Sequence, residues 1–183
     1  MLLPPLEKTA LAGIQRQFAA DAPHAIIQPS PGDLLEGRID NCHADRLQPG
    51  SDRRGDLFEL LTTRNGSIEP IVHVYQVWAA PGSIRGWVYH ARQTDRLCFT
   101  DGSFQVALCD LRPESPTAGA IASLVVGAST PVRLTIPPLV AHVVRNIGTE
   151  RAAFVNMPTA VYNHDAPDKY RLPFDSELIP FRW

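Results

Sequence analysis

Three histidines of this chain lie in strand-like surroundings, and imidazole is the side chain best suited to moving a proton near neutral pH. His73 stands two residues before Tyr75 in the β-branched, aromatic run Ile71–Ala79. Side chains two apart share one face of a strand, so both line a pocket if that face looks into one; otherwise His73 is a satisfied core histidine. His90 follows Val88 by two in Arg85-Gly86-Trp87-Val88-Tyr89-His90 and shares its face. Arg85, between Ile84 and Gly86, is hard to explain as core. Arginine offers a fork of donors to a phosphate or carboxylate. His142 is the third imidazole, and His90 and His142 alone make a weak metal site, so no metal is expected. Asp110 and Arg112 read as a structural ion pair, and Arg92 and Arg96 either add charge to a site or solvate a strand end.

These residues need strands to hold them. Short apolar or alternating runs follow one another at Leu57–Thr62, Ile71–Ala79, Arg96–Thr100, Phe104–Asp110 and Arg151–Val155. Val132, Leu134 and Ile136 alternate with Arg133 and Thr135 between Pro131 and Pro137, the pattern of a half-buried strand. Asp101-Gly102 is a hairpin signal, because glycine accepts positive φ. Before the strands, Leu11, Ile14 and Phe18 recur at helical spacing, which predicts a helix over 6–20, and residues 28–53 are turn-rich. The division expected is a lead-in of residues 1–50 and a domain of 51–183. After Tyr162 a proline-punctuated tail carries Phe174, Ile179, Phe181 and Trp183, enough apolar surface to bury as an extended cover. Many short strands with frequent turn signals indicate an all-β sandwich or barrel.

Composition narrows the partners. A net charge of −2 with no basic run argues against nucleic acid. No apolar stretch approaches the ~18 residues of a membrane helix, and no signal peptide is read, so a cytoplasmic protein is expected. Cys42, Cys98 and Cys109 lack metal-ligand spacing and read as buried free thiols.

Four segments carry a family resemblance: Arg54-Gly55-Asp56-Leu57-Phe58-Glu59; Pro81 to Trp87; Asp110 to Gly119; and Ile136-Pro137-Pro138-Leu139-Val140-Ala141-His142. From about Asp52 to Trp183 the chain resembles the dTDP-4-dehydrorhamnose 3,5-epimerases. The resemblance implies a double-stranded β-helix, the cupin or jelly-roll barrel, and an isomerase that removes a proton beside the ketone of a sugar nucleotide. It implies a homodimer and no cofactor. By position, Arg54 and Arg85 would meet the nucleotide phosphates or sugar, His73 would face the pocket, and Arg96 falls near a family lysine over the sugar. His142 matches a family histidine, although Leu139 and Val143 replace the glycines around it.

This chain departs from the pattern where chemistry is done. Val88 holds the place of the family's base. Asn156 holds the place of its proton-donating tyrosine, and the late aspartate that polarises the base falls beyond the end of the chain. His90 matches the second histidine of the Arg-Gly-x-His-x-His motif of related 3,4-ketoisomerases, which makes it the expected base, with His142 and Tyr75 as further catalytic residues. Arg54, Arg85, His73, Arg96 and Asn156 are expected on the substrate side. The alternatives are a cupin that binds a sugar nucleotide or other small ligand without epimerising it, and a metal-dependent cupin enzyme. Metal cupins place His-x-His, a nearby glutamate and a later histidine around the ion; here Pro137 and Asn146 are spaced about His142 as in such proteins.

Overall fold

A computed structural model describes residues 13, 15–20, 33–35, 38–65 and 70–183. Its strands are β1 (His43–Arg46), β2 (Pro49–Asp52), β3 (Gly55–Phe58), β4 (Tyr75–Ala79), β5 (Ile84–Tyr89), β6 (Asp95–Phe99), β7 (Ser103–Asp110), β8 (Ile121–Gly127), β9 (Val132–Ile136), β10 (Val140–Asn146), β11 (Ala152–Asn156) and β12 (Tyr170–Arg171). One sheet runs β1-β9-β6-β11-β4 and a second β12-β5-β10-β7-β8, while β2 and β3 form a separate hairpin. All the pairings are antiparallel. The two sheets face each other across one apolar core that includes Leu97, Phe99, Phe104, Leu108, Leu134 and Phe154.

The alternation read in the sequence decides which residues meet there. β9 buries Val132, Leu134 and Ile136 and leaves Arg133 and Thr135 half-buried. Phe99, Phe104 and Phe154 come from different strands and pack with ring centroids 5.0–5.6 Å apart, within the range aromatic pairs favour.

Three expectations change. The helix over 6–20 lies largely outside the described residues and is not borne out: no α-helical element is delimited among those described. β1 pairs with β9, so the first sheet begins inside the stretch read as lead-in. Asp101-Gly102 is not a hairpin, since β6 pairs with β9 and β11, and β7 with β8 and β10. The turn passes the chain from one sheet to the other. Gly102 is still required, with φ of 60° and a position where a Cβ would sit 2.1 Å from the Cβ of Ala152.

The tail covers the outside of the second sheet. Ile179 is buried and Phe181 packs against a cluster of Trp87, Ala107, Cys109, Ala141 and Val143. The Phe181 and Trp87 rings meet edge to face at 6.2 Å. Phe174 stays exposed. Cys42, Cys98 and Cys109 are free and buried, and burial pushes the Cys42 and Cys98 thiols up to about 12. Among the described residues no helix is long and apolar enough to cross a membrane.

Candidate active site

At one end of the barrel the apolar core gives way to polar side chains. On β10, Ala141 and Val143 face the outer cluster, so His142 faces inward. Pairing sets His142 opposite Val88 on β5, and His90 follows on the same strand face. From the opposing sheet β6 turns Leu97 and Phe99 into the core, and the same parity turns Asp95 toward the two histidines. Asp95 Oδ2 lies 3.3 Å from His90 Nε2 and 3.4 Å from His142 Nε2. All three residues are buried.

The rest of the cluster is bonded from outside. Asp95 Oδ1 accepts from Gln93 Nε2 at 2.9 Å and Asn156 Nδ2 at 3.2 Å. Asn156 Nδ2 also donates to the Tyr75 hydroxyl at 2.8 Å, and Asn156 Oδ1 accepts from the Arg96 backbone N–H. The His73 ring stands 5.3 Å from that of Tyr75. His90 Nδ1 meets the carbonyl of Asp168, and His142 Nδ1 lies 3.3 Å from the carbonyl of Val140. Carbonyls only accept, so each ring carries its first proton on Nδ1 and turns Nε2 to Asp95.

Charge follows from these contacts. Burial alone would raise the Asp95 carboxyl, but hydrogen bonds and charge from His142 and His90 outweigh it and hold Asp95 well below the usual carboxylate range. Burial works against a charged His90, yet the hydrogen bond and charge of Asp95, with the Asp168 carbonyl, leave its pKa raised. Tyr75 is raised by burial and by the charge of Asp95, against smaller opposing effects of Asn156 and Arg85. Tyr75 is therefore a protonated hydroxyl that enters from the first sheet, while His90 enters from the second.

The same three residues can hold a divalent cation. The candidate ligand atoms of His90, Asp95 and His142 lie within 4.8 Å of one another. Ring nitrogens turned inward with Nδ1–H on a carbonyl, beside a carboxylate whose other oxygen is held by amides, are how imidazole and carboxylate ligands are commonly oriented.

Sequence reasoning placed some residues here and misplaced others. His90, His142, Tyr75, His73 and Asn156 come together. Arg85 reaches across to the carbonyl of Trp78 at 3.2 Å. Arg96 does not join them: strand parity sends it to the outer face of β6, where Nε donates to the carbonyl of Met157. Arg54 lies in the β2–β3 turn, exposed, with its guanidinium on Asp52 at 2.6 Å. Val88 belongs to neither apolar cluster and sits between His142 and Arg171 on the flanking strands. Asp95, Gln93 and Asp168 were missed. Asp95 had a signal, since it follows His90 by five residues, near where metal cupins carry their glutamate. Asp168 had none: its carboxylate accepts from the N–H groups of Ala91, Arg92 and Gln93 at 2.8–3.1 Å, across more than seventy residues of chain.

Residues 50–170 match the family model described as the polysaccharide biosynthesis C-terminal domain. The spore coat polysaccharide biosynthesis protein SpsL of Bacillus subtilis is 35% identical over 145 residues, 79% of this chain and 96% of that protein. The probable low-salt glycan biosynthesis epimerase Agl13 of Haloferax volcanii is 32% identical over 140 residues, covering 75% of this chain and 89% of its own. Among solved structures, a dTDP sugar isomerase from Desulfovibrio desulfuricans superposes with a TM-score of 0.74 at 23% identity, over 80% of this chain and 92% of the other. The fold is that of the dTDP-4-dehydrorhamnose 3,5-epimerase cupins.

Proposed function

Since the chain belongs to the polysaccharide biosynthesis C-terminal domain family, we propose that it is an isomerase of polysaccharide biosynthesis that moves a proton beside the ketone of a keto sugar nucleotide, with His90 as base. The observation that supports this most is the buried cluster in which Asp95 of the first sheet, backed by Asn156 and Tyr75, meets His90 and His142 of the second. His90 takes the α-proton, and the electron pair of that C–H bond moves toward the carbonyl oxygen. Asp95 offsets the imidazolium charge so formed. The Tyr75 hydroxyl returns a proton on the opposite face for an epimerisation, or His90 returns its own to the neighbouring carbon for a ketoisomerisation. Arg85 and His73 stand toward the substrate. A dTDP-linked keto sugar is the preferred ligand by likeness to relatives. The chain acts in the cytoplasm and as a homodimer in this reading, and the exposed Trp78 on edge strand β4 suits a subunit contact.

Incubation with a dTDP-4-keto-6-deoxyhexose in deuterated water tests the reaction. The wild type should place deuterium beside the ketone, and His90→Asn should slow this roughly 10²–10⁴-fold, the usual worth of a positioned general base. Unchanged exchange in His90→Asn removes His90 from the role.

The shared approach of two Nε2 atoms to one carboxylate oxygen favours a second reading, in which His90, His142 and Asp95 would hold a divalent cation and the ion would supply Lewis-acid polarisation of the carbonyl. Elemental analysis of protein purified without chelator separates the two. Stoichiometric zinc, iron or nickel, with exchange lost on chelation, would install the metal reading; metal-free protein with full exchange retains the first.

A further inference from the structure

The tail does more than cover the second sheet. β12 pairs with β5 so that Tyr170 lies opposite Tyr89 and Arg171 opposite Val88. That register sets Lys169 level with His90. Tyr89 and Tyr170 stack with centroids 4.8 Å apart, and Tyr89 packs against the outer cluster. Alternation therefore turns Lys169 and Arg171 to the inner face, shared with Val88 and His90. Asp168 holds this register: its carboxylate takes three N–H groups of residues 91–93 and its carbonyl meets His90.

Lys169 is half-buried, and its surroundings are those of the site. It lies within electrostatic reach of Asp95, Arg85, Arg171 and His90. Among the described residues no carboxylate forms an ion pair with it. Burial, helped by Arg171 and Arg85, lowers its pKa against the pull of Asp95. Of the other cations near the site, Arg85 donates to the Trp78 carbonyl, and Arg171 is exposed and lies opposite Val88, two residues farther along the strand than Lys169. The lysine that resemblance placed at position 96 is here an arginine on the outer face.

We propose that Lys169 is a catalytic residue that donates its ammonium to the substrate's carbonyl oxygen and stabilises the negative charge arriving there as His90 breaks the adjacent C–H bond. This rests on the proton-transfer reading above. A carbonyl oxygen lies two bonds from the carbon that loses the proton, so its stabilising cation must stand beside the base. Cross-strand neighbours on one face, with Cβ atoms about 4.5–5.5 Å apart, meet that requirement. A poorly hydrated ammonium acts more strongly on the oxyanion than one in bulk water.

The test measures deuterium exchange into a dTDP-4-keto-6-deoxyhexose for wild type, Lys169→Met and Lys169→Arg, with dTDP affinity by calorimetry. Lys169→Met should lower kcat on the order of 10²–10³-fold, the worth of one oxyanion donor, while KM and dTDP affinity hold. Lys169→Arg, which restores a cation, should recover part of the rate. Equal exchange in wild type and Lys169→Met would overturn the assignment, as would a fall in dTDP affinity that accounts for the lost rate. Absence of exchange in the wild type itself would overturn the proton-transfer reading and this one with it. Acetylation of wild-type Lys169, read by mass spectrometry, covers the case of an unfolded variant. The keto sugar nucleotide should protect it beyond dTDP alone, and equal protection by dTDP overturns the proposal.

Discussion

Asp110 ties the end of β7 to the loop that follows, and its removal has a calculable cost. Its buried carboxylate accepts from Arg112 Nε and a terminal nitrogen, both at 2.8 Å, from Ser115 Oγ at 2.6 Å and from Thr117 Oγ1 at 2.8 Å. Arg112 also donates to the Asp40 carbonyl, and the Asp40 N–H donates to Thr117, so the knot anchors the amino-terminal lead-in as well. Removing one partner of a buried ion pair costs about 3–5 kcal/mol. The Arg112 side chain is 18% exposed against 0% for Asp110, so water can reach part of the stranded guanidinium, and Asp110→Ala should sit near the low end, about 3 kcal/mol. Asp110→Asn keeps an acceptor and should cost about 1.5–3 kcal/mol, the range of hydrogen bonds to charged groups.

The same contacts give a pH signature. Burial alone would raise the Asp110 carboxyl, but hydrogen bonds from Arg112, Ser115 and Thr117 outweigh it and hold the group well below the usual range. A depressed folded pKa means that its stabilisation is present above the unfolded value, about 3.9, and is lost as pH falls below that. The gap between wild type and Asp110→Asn, from urea unfolding followed by tryptophan fluorescence, should be constant around neutrality and narrow in acid below about pH 4. A neutral-pH difference for Asp110→Ala under about 1 kcal/mol, or a gap that widens in acid, would refute the reasoning.

Two other substitutions probe the site's supports. Gly86→Ala should destabilise by about 3 kcal/mol or more in the same unfolding assay: Gly86 has φ of 137°, and a Cβ there would lie 2.6 Å from the His142 carbonyl oxygen, combining backbone strain with overpacking. A wild-type midpoint would show that β5 and β10 can separate freely. Asp168→Ala removes the acceptor of three backbone N–H groups beside His90; deuterium exchange should fall more than dTDP affinity does, and equal losses would make the clamp a general binding element.

Much of the fold was legible in the chain itself, because the signals are local. The alternation of Val132, Leu134 and Ile136 marks a strand wherever it pairs, and Asp110 lies two residues from the arginine that binds it. His90 and His142 stand out because their neighbours in sequence already resemble a known site. Gly102 announced a positive φ correctly, yet φ at one residue does not say which sheet the next strand joins; that depends on pairing with β10 and β8, far along the chain. Arg96 and Asp95 are adjacent, and only the facing of β6 toward the core decides that the carboxylate enters the site and the guanidinium leaves it. Asp168 and Lys169 reach His90 across more than seventy residues, through a register between β12 and β5 that no local preference specifies. Residue types and periodicity are properties of the chain, whereas a hydrogen-bond partner or a shared wall arises only when distant strands settle into one register, because burial and backbone pairing are satisfied together there.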